Sequence, residues 1–162
     1  MKMILIGLAG IASLSAAPAA LAQSPATFSA PVSNDVLSRM FGWWNSAFKD
    51  PKGFTPEAFL QYSPDDAVMR INGVDRAKGV VSLAEHFRVI QTRASAVEIK
   101  LPFVEAFSSP DGSKIFTYHL IDAVENGKAG HEMVMGYATL RGGKISKIDF
   151  ISLEGIPGPF MK

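Results

Sequence analysis

Four side chains in the C-terminal half, Thr117, His119, Glu132 and Asp149, have the types and spacing for one polar cluster. The runs 113–124, 128–140 and 144–153 are separated by Asn126-Gly127 and Gly142-Gly143, dipeptides that favour two-residue hairpin turns. Such a turn fixes which residues lie opposite, and strand side chains alternate between faces. In that register Thr117 faces Gly136, which in turn faces Asp149, and His119 faces Val134, which faces Ile151. One sheet face then carries Thr117, His119, Glu132, Val134, Gly136, Asp149 and Ile151, and Gly136 leaves volume at its middle. That composition predicts a largely apolar binding pocket with few polar handles. His119 is the candidate catalytic residue: imidazole is the usual acid or base near neutral pH, with Asp149, or Glu132 on the diagonal, to fix its tautomer. The competing reading is a half-buried histidine bonded to backbone.

The opposite face carries Phe116, Tyr118, Leu120, Met133, Met135 and Tyr137, bulky residues suited to filling space or closing a homodimer interface. His131 falls opposite Asp122, as expected of a solvated ion pair. His86 is expected to be exposed. Trp44 lies on the apolar line of the first helix, so it reads as core with an indole N–H available to a ligand. Asp65 and Asp66 read as bracing for a strand entry. With no cysteine and no metal-ligand spacing among three histidines, thiol chemistry and a protein metal site are not implied.

Three helices and a sheet must position these groups. Ser33 or Asn34 is expected to cap a helix whose Leu37, Met40, Phe41, Trp44 and Phe48 share one face. Thr55-Pro56-Glu57 starts a second, short helix. Strands at 67–71 and 74–78 flank Asn72-Gly73, and a third helix follows Gly79 with Val80, Leu83, Phe87 and Ile90 inward. Strands at 97–108, 113–124, 128–140 and 144–153 complete an α+β architecture, three helices packed on one strongly curved, mostly antiparallel sheet.

Ahead of this, Lys2, the apolar run 3–14 and Ala20-Leu21-Ala22 have the form of a secretory signal peptide, 1–22, followed by a flexible leader, 23–33. The folded domain spans 34–155 and an irregular tail 156–162. Loss of residues 1–22, which hold one lysine and no acid, leaves 15 basic and 15 acidic side chains. A charge near zero gives no electrostatic case for nucleic acid or for a membrane surface after cleavage.

Asp65-Asp66 before the first strand, Gly79-x-x-x-Leu83-x-x-x-Phe87 opening the third helix and Gly143-Lys144-Ile145 opening the last strand have an order that resembles the SnoaL-like branch of the nuclear-transport-factor-like cone folds. The resemblance implies a cofactor-free cone that hosts isomerases, cyclases, dehydratases or non-catalytic binding modules. It also implies that the ketosteroid isomerase base falls on Ile71, its oxyanion-hole acid near Gly136 and its tyrosine near Trp44, so steroid isomerase chemistry is not expected here. The sequence thus predicts an exported domain that binds a small, largely apolar molecule, with acid/base chemistry by His119 and Asp149. The alternative is a binding or interaction module that dimerises through its sheet. Mass spectrometry of the protein from its native cell is expected to show a chain starting at Gln23. An intact Met1 in a soluble cytoplasmic fraction would exclude export.

Overall fold

Asp35 begins the described part of the chain's first helix. In the computed structural model, which describes residues 34–156, its Oδ1 accepts the Leu37 and Ser38 amides at 2.8 and 2.9 Å, and its Oδ2 accepts the Ser38 hydroxyl at 2.6 Å. The cap is therefore Asp35 rather than Ser33 or Asn34, because a carboxylate has acceptors for all three donors. The expected signal peptide, the leader and residues 157–162 lie outside the described residues.

Helix α1 (Val36–Ala47) buries Leu37, Met40, Phe41 and Trp44. Helix α2 (Pro56–Leu60) starts as expected, with the Thr55 hydroxyl accepting the Ala58 amide at 3.2 Å and proline in the first turn. Strands β1 (Val68–Ile71) and β2 (Val74–Lys78) form a hairpin over Asn72-Gly73. Helix α3 (Val80–Arg93) follows Gly79, whose φ of +82° an L side chain rarely adopts. An aromatic cluster locks the helices together: Trp44 stacks on Phe48 at 5.3 Å, Trp43 on Tyr62 at 5.3 Å, and Phe59 on Phe87 at 5.7 Å. Each such pair adds roughly 0.5–1.5 kcal/mol beyond the area it buries.

Strands β3 (Ala94–Ile99), β4 (Glu105–Ser108), β5 (Lys114–Glu125), β6 (Lys128–Arg141) and β7 (Lys144–Glu154) complete one sheet of order β2-β1-β7-β6-β5-β3, with β4 also on β5. Only β1 against β7 is parallel. The expected single strand 97–108 is two strands. Pro102, behind a cis peptide bond, has no N–H for a ladder, and Phe103 turns into the core against Phe41 and His119 at 5.9 and 5.5 Å. The Asp65–Asp66 segment braces the strand entry: the Asp65 carbonyl accepts the Val80 amide, and Asp66 pairs with Arg141.

The first hairpin register is as expected, with Thr117 opposite Gly136 and His119 opposite Val134. The second begins as expected, Arg141 opposite Lys144, and then shifts by one residue between Thr139 and Leu140. Ser146 is the extra residue, and its hydroxyl bonds to the Thr139 carbonyl at 3.1 Å. A bulge of one residue exchanges the faces of everything beyond it. Ile148, Phe150 and Ser152 therefore turn toward the helices, while Lys147, Asp149 and Ile151 turn away.

The space expected beside Gly136 is closed by the same strand. At φ +154°, a Cβ on Gly136 would lie 2.2 Å from the Asp149 carbonyl oxygen and 2.8 Å from the Phe150 ring. Glycine is required there because β7 backbone approaches closely, not because a ligand needs room. Among the described residues, no helix is long and apolar enough to cross a membrane.

Candidate functional site

Helices α1 and α3 lie over the concave face of the sheet and leave a cavity of about 410 Å³. Its walls are mostly carbon. Met40, Phe41 and Trp44 come from α1, Leu83, Phe87 and Ile90 from α3, and Val134, Ile148 and Phe150 from the sheet. Alternation places the sheet residues there, and helical spacing the others.

His119 is the most deeply buried polar side chain on the cavity wall, where the Ser63 hydroxyl also lies. It is 1% exposed and ringed by Phe41, Phe103 and Phe150, at centroid distances of 5.3, 5.5 and 5.4 Å. Thr117 Oγ1 lies 3.2 Å from its Nδ1. Nε2 has no hydrogen-bond partner among the described residues. Either tautomer thus leaves one polar contact on a lining side chain, a donor if Nε2 is protonated and an acceptor if Nδ1 is. Burial pushes the imidazole down from 6.5 to about 4, because no carboxylate compensates the desolvation of its cation.

The expected His119–Asp149 pair does not form. The Ser146 bulge puts Asp149 on the far face, where its carboxylate accepts Lys147 Nζ at 2.6 Å. Ile151 is likewise outside, 60% exposed. Glu132 does line the cavity, but its carboxylate accepts the Ser152 hydroxyl rather than a His119 ring N–H. Of the other expected binding residues, Trp44 and Val134 line the cavity, Thr117 lies behind His119, and Gly136 is packed under β7. The Trp44 indole N–H is buried with no partner. His131 pairs with Asp122 at 2.7 Å. His86, expected at the surface, is half-buried among the residues that line the cavity, near Arg76. The sequence carried a signal for this: Leu83, His86, Phe87, Ile90 and Arg93 recur every three or four residues and so share one helix face.

No cluster of three or more His, Asp or Glu side chains that could hold a metal occurs among the described residues. No protein-family model matches the sequence, and no curated protein matches it. Solved structures do. A protein of unknown function from an Exiguobacterium species, described as NTF2-like, superposes with a TM-score of 0.59 at 17% identity, covering 74% of this chain and 98% of that one. The chain has a nuclear-transport-factor-like cone fold. A candidate polyketide cyclase from Xanthomonas campestris gives 0.56 at 13% identity, over 72% and 89% of the two chains. An epoxide hydrolase from M. tuberculosis gives 0.52 at 17%, over 72% and 80%. At these identities the likeness concerns the cone alone.

The burial of His119 has a pH signature. Its folded pKa is depressed, so the unfolded chain takes up a proton first as pH falls. The stability this residue permits is complete above about 6.5 and declines until about 4. The full shift corresponds to a loss on the order of 3 kcal/mol. Urea unfolding of wild type and His119→Gln at intervals from pH 7 to 4 is expected to show a shallower decline in the variant. Parallel declines would mean that His119 is not buried as a neutral ring.

Proposed function

We propose that the cone binds a small, largely apolar molecule in the cavity beneath α1 and α3, with His119 as a neutral hydrogen-bonding handle. The observation that carries this reading is the enclosure of one imidazole by Phe41, Phe103 and Phe150, with no carboxylate on it. A ring held neutral in an apolar wall can orient a carbonyl or hydroxyl. It is poorly set to store a proton at neutral pH, because protonation there is opposed by burial. The reading therefore favours the binding module over acid/base chemistry by a His119–Asp149 pair. The range of names among proteins sharing the fold, from polyketide cyclase to epoxide hydrolase, is compatible with a cone that takes carbon-rich ligands. Export through the N-terminal segment remains part of the proposal.

The module also has a self-association surface. Met135, Ile151 and Leu153 are 58%, 60% and 60% exposed on the convex face, beside Met133 and Tyr137. The bulge that removed Ile151 from the cavity enlarges this patch. Apolar area of this kind on a sheet face fits a second copy of the chain packed through a two-fold axis.

Two measurements check these readings. Calorimetric titration with naphthylethanol, a neutral apolar probe, is expected to show one site per chain in wild type. Ile121 lines the cavity from β5, so Ile121→Trp, which places an indole there, should weaken binding by about tenfold or more. Equal affinity in a folded variant would place the ligand elsewhere. Light scattering is expected to give a dimer for wild type and a monomer for Met135→Glu, since a carboxylate at the centre of an apolar interface is desolvated without a partner. A wild-type monomer at micromolar concentration would remove the dimer.

A further inference from the structure

The charged groups at the cavity mouth are not distributed evenly. Arg93 and Glu125 share one end of the rim, since Ala94, the next residue after Arg93, is the ladder partner of Glu125. They bear opposite charges at the same end, though no ion pair joins them among the described residues. Arg76, on β2, has no such counterpart. The neighbouring acid Asp75 is taken by Arg70 Nε at 2.6 Å and Lys78 Nζ at 3.1 Å, while Glu132 accepts the Ser152 hydroxyl, keeps its charge and makes no ion pair with Arg76. Arg76 makes no ion pair among the described residues, yet it lines the cavity. His86 lies close enough for the charge of Arg76 to act on its imidazole, whose pKa is lowered first by burial and then by that charge. Two donors, one a full cation, thus share one side of the opening.

We infer that the ligand carries a carboxylate, which sits at the mouth against Arg76 and His86 while its apolar body occupies the cavity. This rests on the binding reading above and adds the class of molecule: a hydrophobic carboxylic acid. A guanidinium offers a forked pair of N–H groups that matches a carboxylate, and a carboxylate beside it would also stabilise a protonated His86. Both groups lie near solvent, so the acid keeps part of its hydration and the apolar body supplies most of the binding. The interior, by contrast, carries no cation: its polar groups are the neutral His119, the Ser63 hydroxyl and the Trp44 indole N–H, so a carboxylate there would lack a charged partner. Orientation follows: head at the mouth, body toward Phe41 and Phe150.

Three probes with one skeleton test this by calorimetry on the full folded chain: naphthylacetate, naphthylethanol and naphthylethylamine. The acid is expected to bind about tenfold more tightly than the alcohol. Arg76→Gln should reduce that ratio to near one while leaving alcohol affinity unchanged. Lys114→Gln, at the opposite end of β5 from Glu125, should leave the ratio intact and exclude a general effect of net charge. Arg76 is exposed on an edge strand, so circular dichroism should report a folded variant. Equal binding of acid and alcohol in wild type overturns the carboxylate inference but leaves the apolar site standing. Preference for the amine also overturns it and assigns the mouth to Glu125 and Glu132. Binding of none of the three overturns the inference together with the binding reading.

Discussion

The extra residue at Ser146 sets the faces of β7, and the chemistry of the interior follows from it. A strand alternates, so without the bulge Lys147 and Asp149 would point under the helices and Ile148 and Phe150 into solvent. With it, two hydrophobic side chains close the cavity wall at 8% and 4% exposure. Full burial of each contributes about 1.5–3 kcal/mol, whereas a buried ion pair seldom repays its own desolvation. The Lys147–Asp149 pair is accommodated on the outer face instead, where water still reaches it.

The state of His119 is a consequence of that exchange. Had Asp149 reached the ring, it would have favoured the imidazolium and raised the pKa. Deprived of it, the ring is held by Thr117 and three phenylalanines and stays neutral. Phe103 reaches this box only because the chain leaves the sheet at Leu101-Pro102, and Phe41 only because α1 presents one apolar face to the strands. The polar character of the site has thus moved outward. The interior is made for shape and carbon contact, and formal charge is confined to the mouth, where Arg76, Arg93, Glu125 and Glu132 remain close to water.

The convex face follows from the same register. Turning Ile151 and Leu153 outward adds them to Met133, Met135 and Tyr137, concentrating apolar surface opposite the cavity. One bulge therefore separates two apolar surfaces: an enclosed one under the helices and an open one on the convex face.

Much of this was legible in the residues. The helix spacing of Leu37, Met40, Phe41 and Trp44, the Thr55-Pro56 start, the Asn72-Gly73, Asn126-Gly127 and Gly142-Gly143 turns, and the facing of His119 toward Val134 are local consequences of periodicity and turn geometry, which act over a few residues. The hydrophobicity of Ile148 and Phe150 also signals their burial, against the turn arithmetic that points Asp149 inward. What the sequence alone determined was the cone and its elements. Tertiary structure decided the bulge, the break of the strand at Pro102, the isolation of His119 and the gathering of Arg76 and His86 at one mouth. The reason is that each depends on contacts between segments distant in the chain. A single-residue slip costs little locally but reverses a whole face, and only the packing of helices against sheet selects which face is buried.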